Sequence, residues 1–101
     1  MLKTDMLLLV RYEGLVVIPA DLVCRDFFQH LSPEKFIHKV DGGEIDLPLV
    51  RIEGSSKCQR GVPLLDLARY LDARITEAQI VNDKIWGRKA RQKRDNTPEM
   101  A

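Results

Sequence analysis

The stretch "LSPEKFIHKVDGG", residues 31–43, carries the start and stop of a helix within itself. Ser32 can cap the first turn with its hydroxyl. Pro33 fits the first helical position, where its fixed φ and missing N–H cost nothing, and Glu34 suits the positive end of the helix dipole. Asp41-Gly42-Gly43 ends it. The spacing predicts a helix over 33–41, with Phe36, Ile37 and Val40 facing inward and Lys35, His38 and Lys39 facing out. Its flanks narrow the choice of fold. Upstream, "PADLVCRDFF" starts a helix at Pro19, with Ile18, Leu22, Val23, Phe27 and Leu31 as its buried face, and only Gln29-His30-Leu31 joins the two helices. Downstream, Val50 and Ile52 alternate with Arg51 and Glu53 as a strand requires. Gly54-Ser55-Ser56 makes a polar tip, and Gly61-Val62 reads as the return strand. Two helices across a short turn, then a hairpin, is the order of a winged helix-turn-helix. The expected fold is therefore α+β: a small winged helix-turn-helix with a β-hairpin wing and a C-terminal helix.

The outer segments are read around that frame. "MLLLVRYEGLVVIP" is apolar on both sides of Glu13-Gly14. Two short strands about a turn are the expectation, at least for Val16-Val17-Ile18; a helix begun at Thr4 or Asp5 and stopped at Gly14 is the alternative. After Pro63, Leu64, Leu67, Ala68 and Leu71 mark a helix that can run to about residue 86. The chain divides into a DNA-binding domain, 1–75, and a C-terminal helix with a basic, partly frayed tail, 76–101. A chain of 101 residues is one domain of modest core-building capacity, so a partner or a second copy fits it.

The chemistry excludes more than it names. His30 and His38 have no third ligand nearby, so no metal is expected. No nucleophile elbow, phosphate loop or paired carboxylates are present, so neither an enzyme nor a cofactor or small-molecule ligand is expected. Cys24 and Cys58 form no CxxC, and Cys24 is read as a small core residue. No run has membrane-spanning length, and Leu7 to Val10 is too short for an export signal, so a cytoplasmic location is expected. The 16 basic and 15 acidic residues nearly cancel, but residues 84–94 hold six cations and no anion.

What remains points to double-stranded DNA. A wing tip needs glycine to turn, hydroxyls to donate to phosphate oxygens and cations to neutralise them. Gly54, Ser55, Ser56, Lys57 and Arg60 supply these. Ser32, Lys35, His38 and Lys39 lie on the exposed side of the second helix, the one that enters the major groove in a helix-turn-helix. No Arg or Asn lies there, so the usual guanine and adenine readers are missing.

Several motifs then fall in order. They are Ile18-Pro19, Cys24 to Phe28, Ser32 to Lys35, Gly43 to Arg51, Ser55 to Lys57 and Asp66 to Tyr70. Over roughly residues 6–75 the chain closely resembles the pyocin activator family, the PrtN-type transcriptional activators. The resemblance implies a DNA-binding activator of phage-derived bacteriocin or prophage genes, built like excisionase and MerR-type DNA-binding domains, with RNA polymerase as a further partner. Ser56 stands where the family usually has Gln, Ala20 replaces a usual Leu, and the basic tail is unmatched. An excisionase-like architectural DNA bender is the close variant. A protein-interaction adaptor without DNA binding is the competing class, favoured by near-neutral charge and by Glu34, Asp41 and Glu44 near the second helix.

The last helix bears on assembly. Leu64, Ala68, Leu71, Ile75, Ala78, Asn82 and Ile85 follow the alternation of a coiled-coil seam. The first three must cover the winged core. Ile75, Ala78, Asn82 and Ile85 are the expected homodimer interface, with Asn82 fixing register. Against this, Thr76 and Gln79 fit a capping box that would break the helix near 75. Arg88 to Arg94 is read as adding phosphate contacts or as a solubilising tail.

Overall fold

The computed structural model describes residues 3–54 and 59–88. In chain order its elements are α1 (Thr4–Arg11), β1 (Val17–Pro19), α2 (Ala20–Phe27), α3 (Pro33–Asp41), β2 (Val50–Arg51), β3 (Arg60–Pro63) and α4 (Leu64–Ile85). The three strands form one antiparallel sheet in the order β1-β3-β2. The class is α+β, compatible with a small winged helix domain. The chain separates into two compact units, Met1–Leu71 and Asp72–Ala101, and α4 begins in the first and ends in the second.

The first unit holds the core. Ile18, Val23, Phe36, Val62 and Leu67 have no exposed surface, and Leu8, Tyr12, Cys24, Phe28, Leu64 and Ala68 pack in the same cluster. Ile37 packs against this cluster and Val40 belongs to it, so the inner face read for α3 holds. The sheet is small because its register is brief. Val17, Ile18 and Pro19 face Pro63, Val62 and Gly61, and Val50 and Arg51 face Gly61 and Arg60.

The first arm of the expected N-terminal strand pair is a helix instead. Met and Leu are strong helix formers, and Asp5 and Arg11 sit at the ends that suit the dipole. Glu13 and Gly14 both take positive φ, and the Gly14 N–H reaches the Leu9 carbonyl at 2.8 Å, which stops α1 where the helical alternative put it. Only Leu8 of α1 is buried, while Met6, Leu7, Leu9 and Val10 are exposed. The second arm is the strand β1. Tyr12 and Asp26 tie α1 to α2: the Tyr12 hydroxyl donates to Asp26 Oδ2 at 2.5 Å, and Arg11 and Arg25 also pair with that carboxylate. These hydrogen bonds, first Tyr12 and then Arg25, hold the Asp26 carboxyl below the usual range.

Two details of α2 differ from expectation. Phe27 is exposed and Phe28 takes its place in the core, because α2 ends at Phe27 and the chain turns inward at the next residue. The connection to α3 is then residues 28–32, longer than three. Cys24 is buried as expected, and its thiol donates to the Leu31 carbonyl at 3.2 Å and to that of Phe28 at 3.5 Å, pinning this turn. The outgoing hairpin strand is also shorter than read, while the return strand, Arg60–Pro63, extends one residue beyond Gly61-Val62 at each end. β2 stops at Arg51, so Ile52 leaves the sheet and is 75% exposed. The alternative of a break near residue 75 does not occur, and α4 runs unbroken for 22 residues to Ile85, as the reading to about residue 86 expects. No helix among the described residues is long and apolar enough to cross a membrane.

Candidate nucleic-acid interface

α3 begins as its sequence dictates. Ser32 has extended backbone, its Oγ accepts from the Lys35 N–H at 3.2 Å, and Pro33 occupies the first turn. The helix ends at Asp41, and Gly43 with φ 78 lets the Glu44 N–H return to the Lys39 carbonyl at 2.9 Å. Ser32, Lys35 and His38 are exposed, and Lys39 is half-buried with its Nζ 3.2 Å from Glu44 Oε1. Lys35, His38 and Lys39 sit three and four residues apart, so they share one side of α3.

The hairpin's return arm starts beside the end of this helix. Arg60 is the first residue of β3 and pairs with Arg51, the ladder pair that closes the hairpin loop. Its guanidinium makes a two-pronged pair with the Asp41 carboxylate, at 3.1 and 2.8 Å. Arg60 thereby holds the Asp41 carboxyl below its usual range, with smaller contributions from the charges of Arg51 and His38. Gln59 donates from Nε2 to Asp21 Oδ1 at 3.2 Å, in the first turn of α2. Ser55, Ser56 and Lys57, the expected tip contacts, lie outside the described residues, as do Cys58 and the tail from Lys89 onward.

Arg51 was not among the expected contacts. It is exposed on β2, opposite Arg60 in register, and adds a cation beside the end of α3. The alternation of Val50-Arg51-Ile52-Glu53 already placed it on the polar side of the strand.

In α4, the seam residues divide between the two units. Leu64 and Ala68 are buried and Leu71 packs on the core of the first unit. Ile75, Ala78, Asn82 and Ile85 are exposed in the second, and Ala78, Asn82 and Ile85 line a shallow depression together with Arg74, Glu77 and Val81. Arg88, the first cation of the expected basic contact run, pairs with the buried Asp83 at 3.4 Å. Among the described residues no group of three side chains could hold a metal ion.

Compared with known families, residues 4–78 match the family model described as pyocin activator protein PrtN. The chain belongs to the PrtN pyocin activator family. The match covers α1 through the first turns of α4, so both the helix pair and the hairpin fall inside it, and most of Asp72–Ala101 falls outside. At the level of the PrtN family this makes the chain a pyocin activator, a regulator of transcription. No curated protein and no solved structure matches the chain.

Proposed function

We propose that this PrtN-family chain is a sequence-specific DNA-binding activator of phage-derived bacteriocin or prophage genes. In this reading α3 enters the major groove, the β2–β3 hairpin follows the adjacent backbone, and RNA polymerase is the partner that activation requires. The observation that carries it is exposed Lys35 and His38, with half-buried Lys39 beside them, on one side of a short, well-capped helix, with the hairpin anchored at that helix's end. In helix-turn-helix proteins the second helix reads base edges, and cations around it fix its register on phosphates. The test is selection of bound duplexes from a random pool by the full chain. One motif should be enriched. Lys35→Ala and Lys39→Ala should each either change that motif or lower the salt slope of binding by about 0.9, the value of one lost phosphate contact. A pool that yields no enriched duplex, with binding insensitive to salt, would leave the adaptor reading in its place.

The assembly proposed is a homodimer through Ile75, Ala78, Asn82 and Ile85. Their exposure at alternating spacing of three and four supports it, since an exposed apolar stripe on a small protein marks an interface. The full chain should sediment as a dimer at tens of micromolar, on the order expected of a short helical seam, and Ile85→Asp should return it to monomer. Monomers in both cases would remove this interface. The operator would then consist of two half-sites about one helical turn apart.

A further inference from the structure

Three consecutive residues fasten the hairpin to the rest of the first unit. Gln59 bonds Asp21 in the first turn of α2, and Arg60 grips Asp41, the last residue of α3. A side chain at Gly61 would collide with β1, where the Val17 Cγ1 and the Ile18 carbonyl oxygen lie 2.6 and 2.8 Å from the position of a Cβ. The Arg60–Asp41 contact fixes orientation as well as distance, because a guanidinium fork matches a carboxylate at two points. The Arg60 side chain is only 20% exposed, whereas that of Asp41 is 53% exposed. Both outer nitrogens of the fork donate to Asp41, one to each carboxylate oxygen.

We infer that Arg60 and Asp41 are positioning residues for DNA binding. Their pair sets the angle between the hairpin and α3, so that both elements meet one duplex together, and Arg60 is not itself a phosphate contact. The inference rests on the DNA-binding reading above. It predicts a sign opposite to that of simple electrostatics. A carboxylate at the end of a groove helix repels phosphates, so removing its charge should tighten binding if charge were all that mattered. If Asp41 instead holds the hairpin in place, removing its charge weakens binding.

The experiment measures the affinity of the full chain for the duplex enriched by selection, at one salt concentration. It compares wild type, Asp41→Asn, Arg60→Gln and the double variant, at a temperature where each remains folded by circular dichroism. Asp41→Asn and Arg60→Gln should each weaken binding about tenfold, mid-range for residues in direct contact, and the double variant should be no weaker than either single one. Tighter or unchanged binding by Asp41→Asn overturns the inference while leaving the DNA-binding reading intact. So do losses that add in the double variant. A pair that only stabilises the fold would lower the unfolding midpoint and leave these affinities unmoved, which also overturns it. Wild type that enriches no duplex removes the reading and the inference together.

Discussion

Phe36→Ala is expected to lower the stability of the first unit by about 3–5 kcal/mol, the usual loss when a fully buried aromatic site is emptied. Phe36 has no exposed surface. Its ring lies 4.8 Å from that of Phe28, which in turn lies 6.0 Å from Tyr70, so the stack joins α3, the preceding turn and the start of α4. Tilted aromatic pairs at such distances add to the area they bury. A domain of this size is stable by about 5–15 kcal/mol in total, so the substitution removes a large share of it. The thermal midpoint should fall by about 15 °C or more. Phe27→Ala is the control: that ring is exposed, and its loss should stay within about 0.5 kcal/mol. Similar midpoints for the two variants would mean that Phe36 is not in a packed core.

The second large effect comes from a residue with no side chain. Gly61 lies in β3, the middle strand, facing Pro19 on one side and Val50 on the other. An added Cβ meets a side-chain methyl of Val17, which can rotate, but also the Ile18 carbonyl, which belongs to the paired strand. Relief requires β1 and β3 to part. Gly61→Ala should cost about 3 kcal/mol, at the upper end of ordinary overpacking. Gly54→Ala, at a position with open space around it, should change little. Urea denaturation of both variants gives the comparison, and equal midpoints would contradict the strand register.

The difference between these glycines shows what local sequence can carry. Gly54 sits among polar residues and reads as a turn, but nothing near Gly61 in the chain announces that β1 will lie against it. α3 was legible because its cap, its first-turn proline and its terminal glycines are neighbours in the sequence, and so was its apolar side. α1 was not. Its core contributes only Leu8 and, just beyond it, Tyr12, so a helix that exposes Met6, Leu7, Leu9 and Val10 shows no amphipathic period. Phe27 and Phe28 were exchanged because adjacent aromatics cannot be ranked until the last residue of α2 is known. The exposed side of α3 with Lys35 and His38 could be read from spacing. The pair that anchors the hairpin could not, because Arg60 and Asp41 are nineteen residues apart.

The strand order has a consequence for how copies of this chain can meet. With β3 in the middle, both outer strands are short: β2 has two residues, and β1 has three and ends in a proline that has no N–H to offer. A foreign strand approaching either side finds too few free backbone groups to extend the ladder. The apolar surface of α1 lies outside this sheet. Crowding the protein, or unfolding it partway at the ends, should therefore bring helices together before strands, and aggregates formed under gentle conditions should keep their helical circular dichroism and fail to enhance thioflavin fluorescence.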